Sequence, residues 1–175
     1  RVEAARRRVR PATYVCYRAL EPLAADGRLD APSWRKAPWT GPFGHIEDPT
    51  LVPELATQAK MLWDDRYFYV GVDMEAPDVW ATVTRRDAHL YAWDPDLEVF
   101  IDPDRDGLNY MEFGINAANC VYDFLLHRPY DRGGPRAIGW DWQGLRSGVQ
   151  VFGGVRRYDW RQSDYYGDYT STNYA

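Results

Sequence analysis

Histidine and cysteine are scarce, with three His and two Cys in 175 residues. His45, His89 and His127 stand apart from one another, and no Cys/His cluster has zinc-ligand spacing or the pattern of a catalytic triad. Cys16 and Cys120 can pair in an oxidising compartment or stay as buried thiols, and the sequence leaves both open. Long apolar runs are missing as well. No stretch approaches the ~20 apolar residues of a membrane span. An initiator Met and an apolar signal-peptide core are also absent, so the chain reads as a mature fragment or a piece of something longer. Positive charge is not in excess: 21 Lys and Arg against 26 Asp and Glu give a net charge of −5, which argues against general nucleic-acid binding. The one basic run, Arg6, Arg7, Arg8 and Arg10, reads as a solvated arm over residues 1–12. Helical periodicity is almost absent.

Aromatic residues are abundant, with 8 Trp, 13 Tyr and 6 Phe. Aromatic rings fill β-sandwich cores, so most of them read as packing. The surplus, left exposed, means recognition. Short alternating segments separated by turn signals predict an all-β, antiparallel sandwich over residues 13–157. Strands are expected at 13–19, 79–84, 120–126 and 145–152, with one helical turn at 31–37 that carries Trp34. A hairpin is expected from 57–63 and 66–74 joined by Asp64 and Asp65, with Phe68, Val70, Val72 and Met74 facing the core. Residues 38–53 and 127–144 are rich in Gly, Pro, Asp or Trp and read as loops. Residues 158–175 hold five tyrosines and no aliphatic side chain larger than alanine, so they read as a flexible tail or a binding segment.

The most informative stretch runs from Trp93 to Gly107. A tryptophan precedes an alternating strand, which ends in an Asp-x-Asp-x-Asp-Gly turn and returns as a second strand at 110–116. Leu97, Val99, Ile101, Met111, Phe113 and Ile115 share one face of this hairpin. Glu98, Phe100, Asp102, Tyr110, Glu112 and Asn116 share the other, which an ordinary solvated sheet face also resembles. Pyranose rings present a face of C–H bonds that stacks on indole, and their hydroxyls need fixed donors and acceptors. On that chemistry Trp93 is the first candidate sugar platform, with Glu98, Tyr110, Glu112 and Asn116 to orient the ligand or support its loop. Trp80, Trp140 and Trp142 are further loop-borne candidates. Asp102, Asp104 and Asp106 have the spacing of a calcium loop. An EF-hand requires Glu at the twelfth position, which here is Phe113, so the turn is either a structural calcium loop or an Asp-favoured β-turn.

Several segments carry a family resemblance. They are Tyr14-Val15-Cys16-Tyr17, Asp26-Gly27-Arg28-Leu29-Asp30 with Trp34 and Ala37, and Ala59-Lys60-Met61-Leu62-Trp63-Asp64-Asp65 leading into Tyr67-Phe68-Tyr69-Val70. Ala76 to Thr82, Asp96 to Asp104, Asn109-Tyr110, Glu112, Asn116-Ala117, Tyr122-Asp123 and Gly144-Leu145 follow in order. Over roughly residues 13–155 the chain resembles the family 9 carbohydrate-binding modules and their relatives in the wider DOMON group. The resemblance implies a β-sandwich that binds plant polysaccharides or their chain ends outside the cytoplasm. It implies association with glycoside hydrolases, a sugar held between two tryptophans, and calcium ions supporting the loops. Trp93 resembles one of the two tryptophans. The family's closing strands, with the second tryptophan, have no clear counterpart, and only Asp159-Trp160 is faintly similar. Glu98 and Glu112 share a face as a glycosidase pair would, but the resembling family is non-catalytic, so no enzyme is expected. Other readings are a structural or assembly protein whose sheet edge or tail meets a partner chain, and, more remotely, a haem-binding DOMON domain using His with Met61, Met74 or Met111.

Overall fold

The computed structural model describes residues 12–152 apart from 47, 49, 135 and 138. The basic arm up to residue 11, Asp159-Trp160 and the Tyr-rich tail lie outside the described residues. The fold is an all-β sandwich type with two sheets. The first contains β1 (Tyr17–Arg18), β2 (Thr57–Trp63) and β3 (Phe68–Met74) in that order, and α1 (Pro32–Lys36) is the only α-helical turn among the described residues. The second contains β4 (Asp96–Ile101), β5 (Tyr110–Asn116), β6 (Val121–Leu126) and β7 (Arg136–Ala137), antiparallel throughout. β1 runs parallel to β2, so the first sheet is mixed rather than purely antiparallel. Of two short 3₁₀ turns, Leu90–Ala92 precedes the second sheet in sequence and Tyr130–Arg132 lies between β6 and β7.

The β2–β3 hairpin forms where the sequence places it, with a longer turn. One carboxylate oxygen of Asp64 accepts the backbone N–H groups of Arg66 and Tyr67 at 2.7 and 2.8 Å, and the other accepts the Tyr69 hydroxyl at 2.6 Å. This Asx-type turn takes residues 64–67 out of the ladder. The face assignment of β3 is corrected. Phe68, Val70 and Met74 are exposed, as is Trp63 across the ladder. The covered face carries Lys60, Leu62, Tyr69 and Gly71, under Trp34, Leu29 and Ala37. Gly71 is the reason. It leaves a slot in which an added Cβ would lie 2.6 Å from Leu29 and 3.2 Å from the Trp34 ring. The large rings from outside the sheet therefore pack on the side where β3 has the least bulk, each such burial contributing roughly 1.5–3 kcal/mol. Lys60 reaches the same cluster, donating to the Trp34 carbonyl at 2.8 Å with its ammonium over Trp39.

Three expected strands are reduced or absent. The first shortens to Tyr17–Arg18. Residues 79–84 contribute a single bridge at Trp80, because the N–H groups of Thr82 and Val83 go to the Asp94 carboxylate and not to a neighbouring strand. Residues 145–152 form no strand and run beside residues 25–27. The two cysteines are free thiols, Cys16 half-buried and Cys120 buried.

In the second sheet the register puts Glu98, Gly114 and Tyr122 in one row, with Phe100, Glu112 and Phe124 in the next. An ordinary solvated sheet face is the alternative reading of this pattern, yet Glu112 and Asn116 are 2% exposed and Tyr122 and Leu126 are 0% exposed. Leu90, Val83 and Cys120 pack against Tyr122 and Phe124. Asn116 closes the β5–β6 turn: its amide nitrogen donates to Val83 O and Asp94, and its oxygen accepts the N–H groups of Ala118 and Cys120.

Candidate functional site

Exposed rings surround this partly buried polar face. Trp93 ends the first 3₁₀ turn and is 60% exposed; Tyr91, from the same turn, Tyr130 and Phe100 are also exposed. Tyr110 is half-buried and tilts against Phe100. Tyr91 meets Tyr122 edge-on at 6.1 Å, and its hydroxyl is 2.7 Å from His89 Nδ1. The Arg136 guanidinium lies 4.7 Å from the Phe124 ring centre, and Tyr91 and Tyr130 help hold its pKa above the usual value.

Beneath the rings lie carboxylates. The Tyr122 hydroxyl is 2.6 Å from Glu98 Oε1 and 3.1 Å from Glu112 Oε1, and the Tyr130 hydroxyl donates to Glu112 Oε2 at 2.6 Å. Burial raises the Glu112 carboxyl pKa against the opposing pull of those tyrosine hydrogen bonds. Burial also pushes Asp96 up to about 7, helped by the charges of Glu98, Asp94 and Glu112. One Asp96 oxygen, Oδ2, is buried with no hydrogen-bond partner among the described residues. Asp94 is fully buried and satisfied by Thr82, Val83 and Asn116, which ties the segment before the 3₁₀ turn to the end of β5.

The residues singled out from sequence thus fall into separate places. Trp93 and Glu98 are exposed and Tyr110 is half-buried, whereas Glu112 and Asn116 are enclosed. Trp80 is half-buried in the bridge after β3. Trp140 and Trp142 pair with each other at 6.3 Å, and Trp140 lines a cavity of about 340 Å³ with His89, Phe124 and Arg136. Sequence reasoning missed Tyr91, Tyr122, Tyr130, Arg136, Asp94 and Asp96. Tyr91 and Asp94 sit within two residues of Trp93, a signal that was available. Tyr130 and Arg136 come from a Gly- and Pro-rich loop without periodicity.

Two carboxylate groups have oxygens close enough to share a cation. In Asp102, Asp104 and Asp106, one oxygen from each lies within 4.8 Å of the others. Asp102 accepts the N–H groups of Arg105 and Gly107, and Arg105, Gly107 and Asn109 all take positive φ. All-oxygen donors on a tight exposed turn fit a hard cation such as calcium, which completes its shell with carbonyls and water. Asp87, Asp123 and Asp141 make the second group, but Arg86 pairs with all three. A guanidinium already occupies that position, so this set does not fit a metal.

Exposed aromatic rings and hydrogen-bonded carboxylates on an all-β scaffold are features that ligand-recognition domains combine. The chain belongs to the carbohydrate family 9 binding domain-like family, whose pattern matches residues 25–127. That span includes β2 to β6, Trp93 and the Asp102–Asp106 turn, and leaves out Tyr130, Arg136, Trp140 and Trp142. No curated protein and no solved structure matches the chain. Domains of this family are in general non-catalytic binding modules. No helix among the described residues is long and apolar enough to cross a membrane.

Proposed function

We propose that this domain binds a polysaccharide or its chain ends outside the cytoplasm, as a non-catalytic module working with glycoside hydrolases in polysaccharide breakdown. Plant polysaccharides such as cellulose and xylan are the substrates to test first. The observation that carries this reading is Trp93, 60% exposed beside the open, carboxylate-bearing edge of the second sheet. An indole with that much surface in water is open to a ligand, and a pyranose C–H face fits it. Glu98 and Tyr110 serve as hydroxyl partners, and Glu112 and Asn116 hold the strands that carry them. Trp80, Trp140 and Trp142 are reserve platforms for a longer glycan. The Asp102, Asp104 and Asp106 carboxylates hold calcium and stiffen the β4–β5 turn, without chemistry of their own.

Calorimetric titration with cello- and xylo-oligosaccharides, with and without chelator, tests this. Trp93→Ala is expected to weaken binding about tenfold, ~1.4 kcal/mol. Chelation is expected to weaken it less, by loosening the turn. Failure of the wild-type protein to bind both soluble oligosaccharides and insoluble polysaccharide removes the sugar reading. A second reading, assembly with a partner chain, is favoured by one specific observation, the exposed apolar face of the first sheet at Trp63, Phe68, Val70 and Met74.

A further inference from the structure

The carboxylates around Tyr122 do not have enough hydrogens to go round. Tyr122 has one hydroxyl hydrogen, and the shorter contact, 2.6 Å, assigns it to Glu98 Oε1. Glu112 Oε1 then faces the phenol oxygen at 3.1 Å with no hydrogen between them. The other Glu112 oxygen is taken by the Tyr130 hydroxyl at 2.6 Å. Two acceptors opposed across 3.1 Å in an enclosed site are repulsive, and Glu112 is 2% exposed, so water does not relieve them.

No third acidic or imidazole donor converges with Glu98 and Glu112: among the described residues the convergent sets of three are Asp102, Asp104, Asp106 and Asp87, Asp123, Asp141, and neither glutamate belongs to one. Nor does a basic side chain fill the gap among the described residues. Asp96 and Glu98 face Glu112 from β4, Tyr122 from β6, Tyr130 from the second 3₁₀ turn, and Tyr110 from β5 itself; Arg136 of β7 acts on Glu112 less strongly than burial, the two tyrosine hydrogen bonds or Glu98. Every atom is satisfied if Glu112 brings the missing hydrogen itself.

We propose that Glu112 carries a proton in the folded domain at neutral pH and, by donating it to Tyr122, positions Glu98 to accept a hydroxyl of the bound sugar. Hydrogen bonds then run in one direction, from Glu112 to Tyr122 to Glu98. The Tyr122 hydroxyl is locked with its hydrogen towards Glu98. Among the described residues only Oε1 of Glu98 bonds to the protein, which leaves Oε2 for the ligand. Glu112 is a positioning residue: it never touches sugar. Its raised pKa agrees in direction with this assignment.

The sugar contact rests on the reading given under Proposed function, and the protonation does not, so the test has two arms. The first follows the side-chain carboxyl carbons by NMR across pH without ligand. It is expected to show Glu112 protonated at neutral pH and losing its proton only above it. The second compares sugar affinity across pH for wild type, Glu112→Gln and Glu112→Ala. Gln reproduces the protonated acid, donating to Tyr122 and accepting from Tyr130. It is expected to hold affinity within about twofold of wild type and to abolish the alkaline loss of binding. Ala is expected to lose about tenfold or more. An ionised Glu112 at neutral pH overturns the proposal, as does Glu112→Gln weakening binding as much as Glu112→Ala. Should Glu112→Ala not fold, the carboxyl titration and the Gln pH profile decide. If no sugar binds at all, the positioning role fails with the reading beneath it, while the NMR arm still judges the proton.

Discussion

At the scale of single residues, the second sheet stores unfavourable charge. Asp96 is half-buried, with Oδ2 lacking a partner among the described residues and the acids Asp94, Glu98 and Glu112 around it. Its folded-state pKa of about 7 compares with ~3.9 for an unfolded chain. Below about pH 4 both states hold the proton. Between about 4 and 7 the folded state keeps a proton that the unfolded state has lost, so stability falls as pH rises through that window. Glu112 and Asp123, both raised by burial, tilt the curve the same way. Urea unfolding is therefore expected to show a lower midpoint at about pH 8 than at about pH 5, and Asp96→Asn to flatten the dependence and exceed wild type at the higher pH. A midpoint that rises with pH, or an Asn variant as pH-sensitive as wild type, would remove Asp96 from this role. Little at this scale was legible beforehand. The alternation of β4 and β5 correctly paired Glu98 with Glu112 on one face, but alternation says nothing about what lies on top of a face. The cover comes from Leu90, Tyr91 and Tyr130, on short turns with no period of their own.

At the scale of elements, β5 and β6 depend on a glycine. Gly114 stands directly across from Tyr122, and the phenol ring lies over the bare backbone. A Cβ at 114 would come 2.1 Å from the ring edge and 2.8 Å from the hydroxyl. Tyr122 cannot retreat without abandoning Glu98 and Glu112, so the strain has no soft outlet. Gly114→Ala is expected to cost on the order of 1–3 kcal/mol in denaturant unfolding and to weaken the tyrosine near-UV circular dichroism. A variant of wild-type stability and spectrum would show that the ring is free to move. The hairpins themselves were legible, because periodicity and turn chemistry are local properties: Asp64 and the Asp102–Asp106 turn both lie where chain reversal was expected. The covered face of β3 was not. Phe68, Val70, Val72 and Met74 form the more apolar set, and ordinary alternation logic turns them inward. What decided the matter was non-local, the arrival of Trp34 and Leu29 over Gly71. Likewise residues 79–84 have strand-like sequence, but Asp94 takes the N–H groups of Thr82 and Val83 that a partner strand needs.

At the scale of the molecule, the same facing of β3 leaves a surface that water does not suit. Trp63, Phe68, Val70 and Met74 are all exposed on one side of the first sheet, and β3 is the edge strand of that sheet. Its outward N–H and C=O groups, which pair with no strand among the described residues, add an open edge to an apolar face, the combination through which sheets recruit another strand. Of the four side chains Val70 is the best probe, since it lies mid-strand opposite Met61 and away from the Trp34 cluster. If this face mediates assembly, sedimentation velocity is expected to show concentration-dependent association for the full chain, and Val70→Lys to abolish it by placing a charge in the contact. The same variant is expected to leave sugar affinity unchanged, because Trp93 and Glu98 lie outside the first sheet. Association that survives Val70→Lys would locate the contact elsewhere. A chain that stays monomeric at every concentration would end the self-assembly reading and leave sugar recognition as the domain's proposed role.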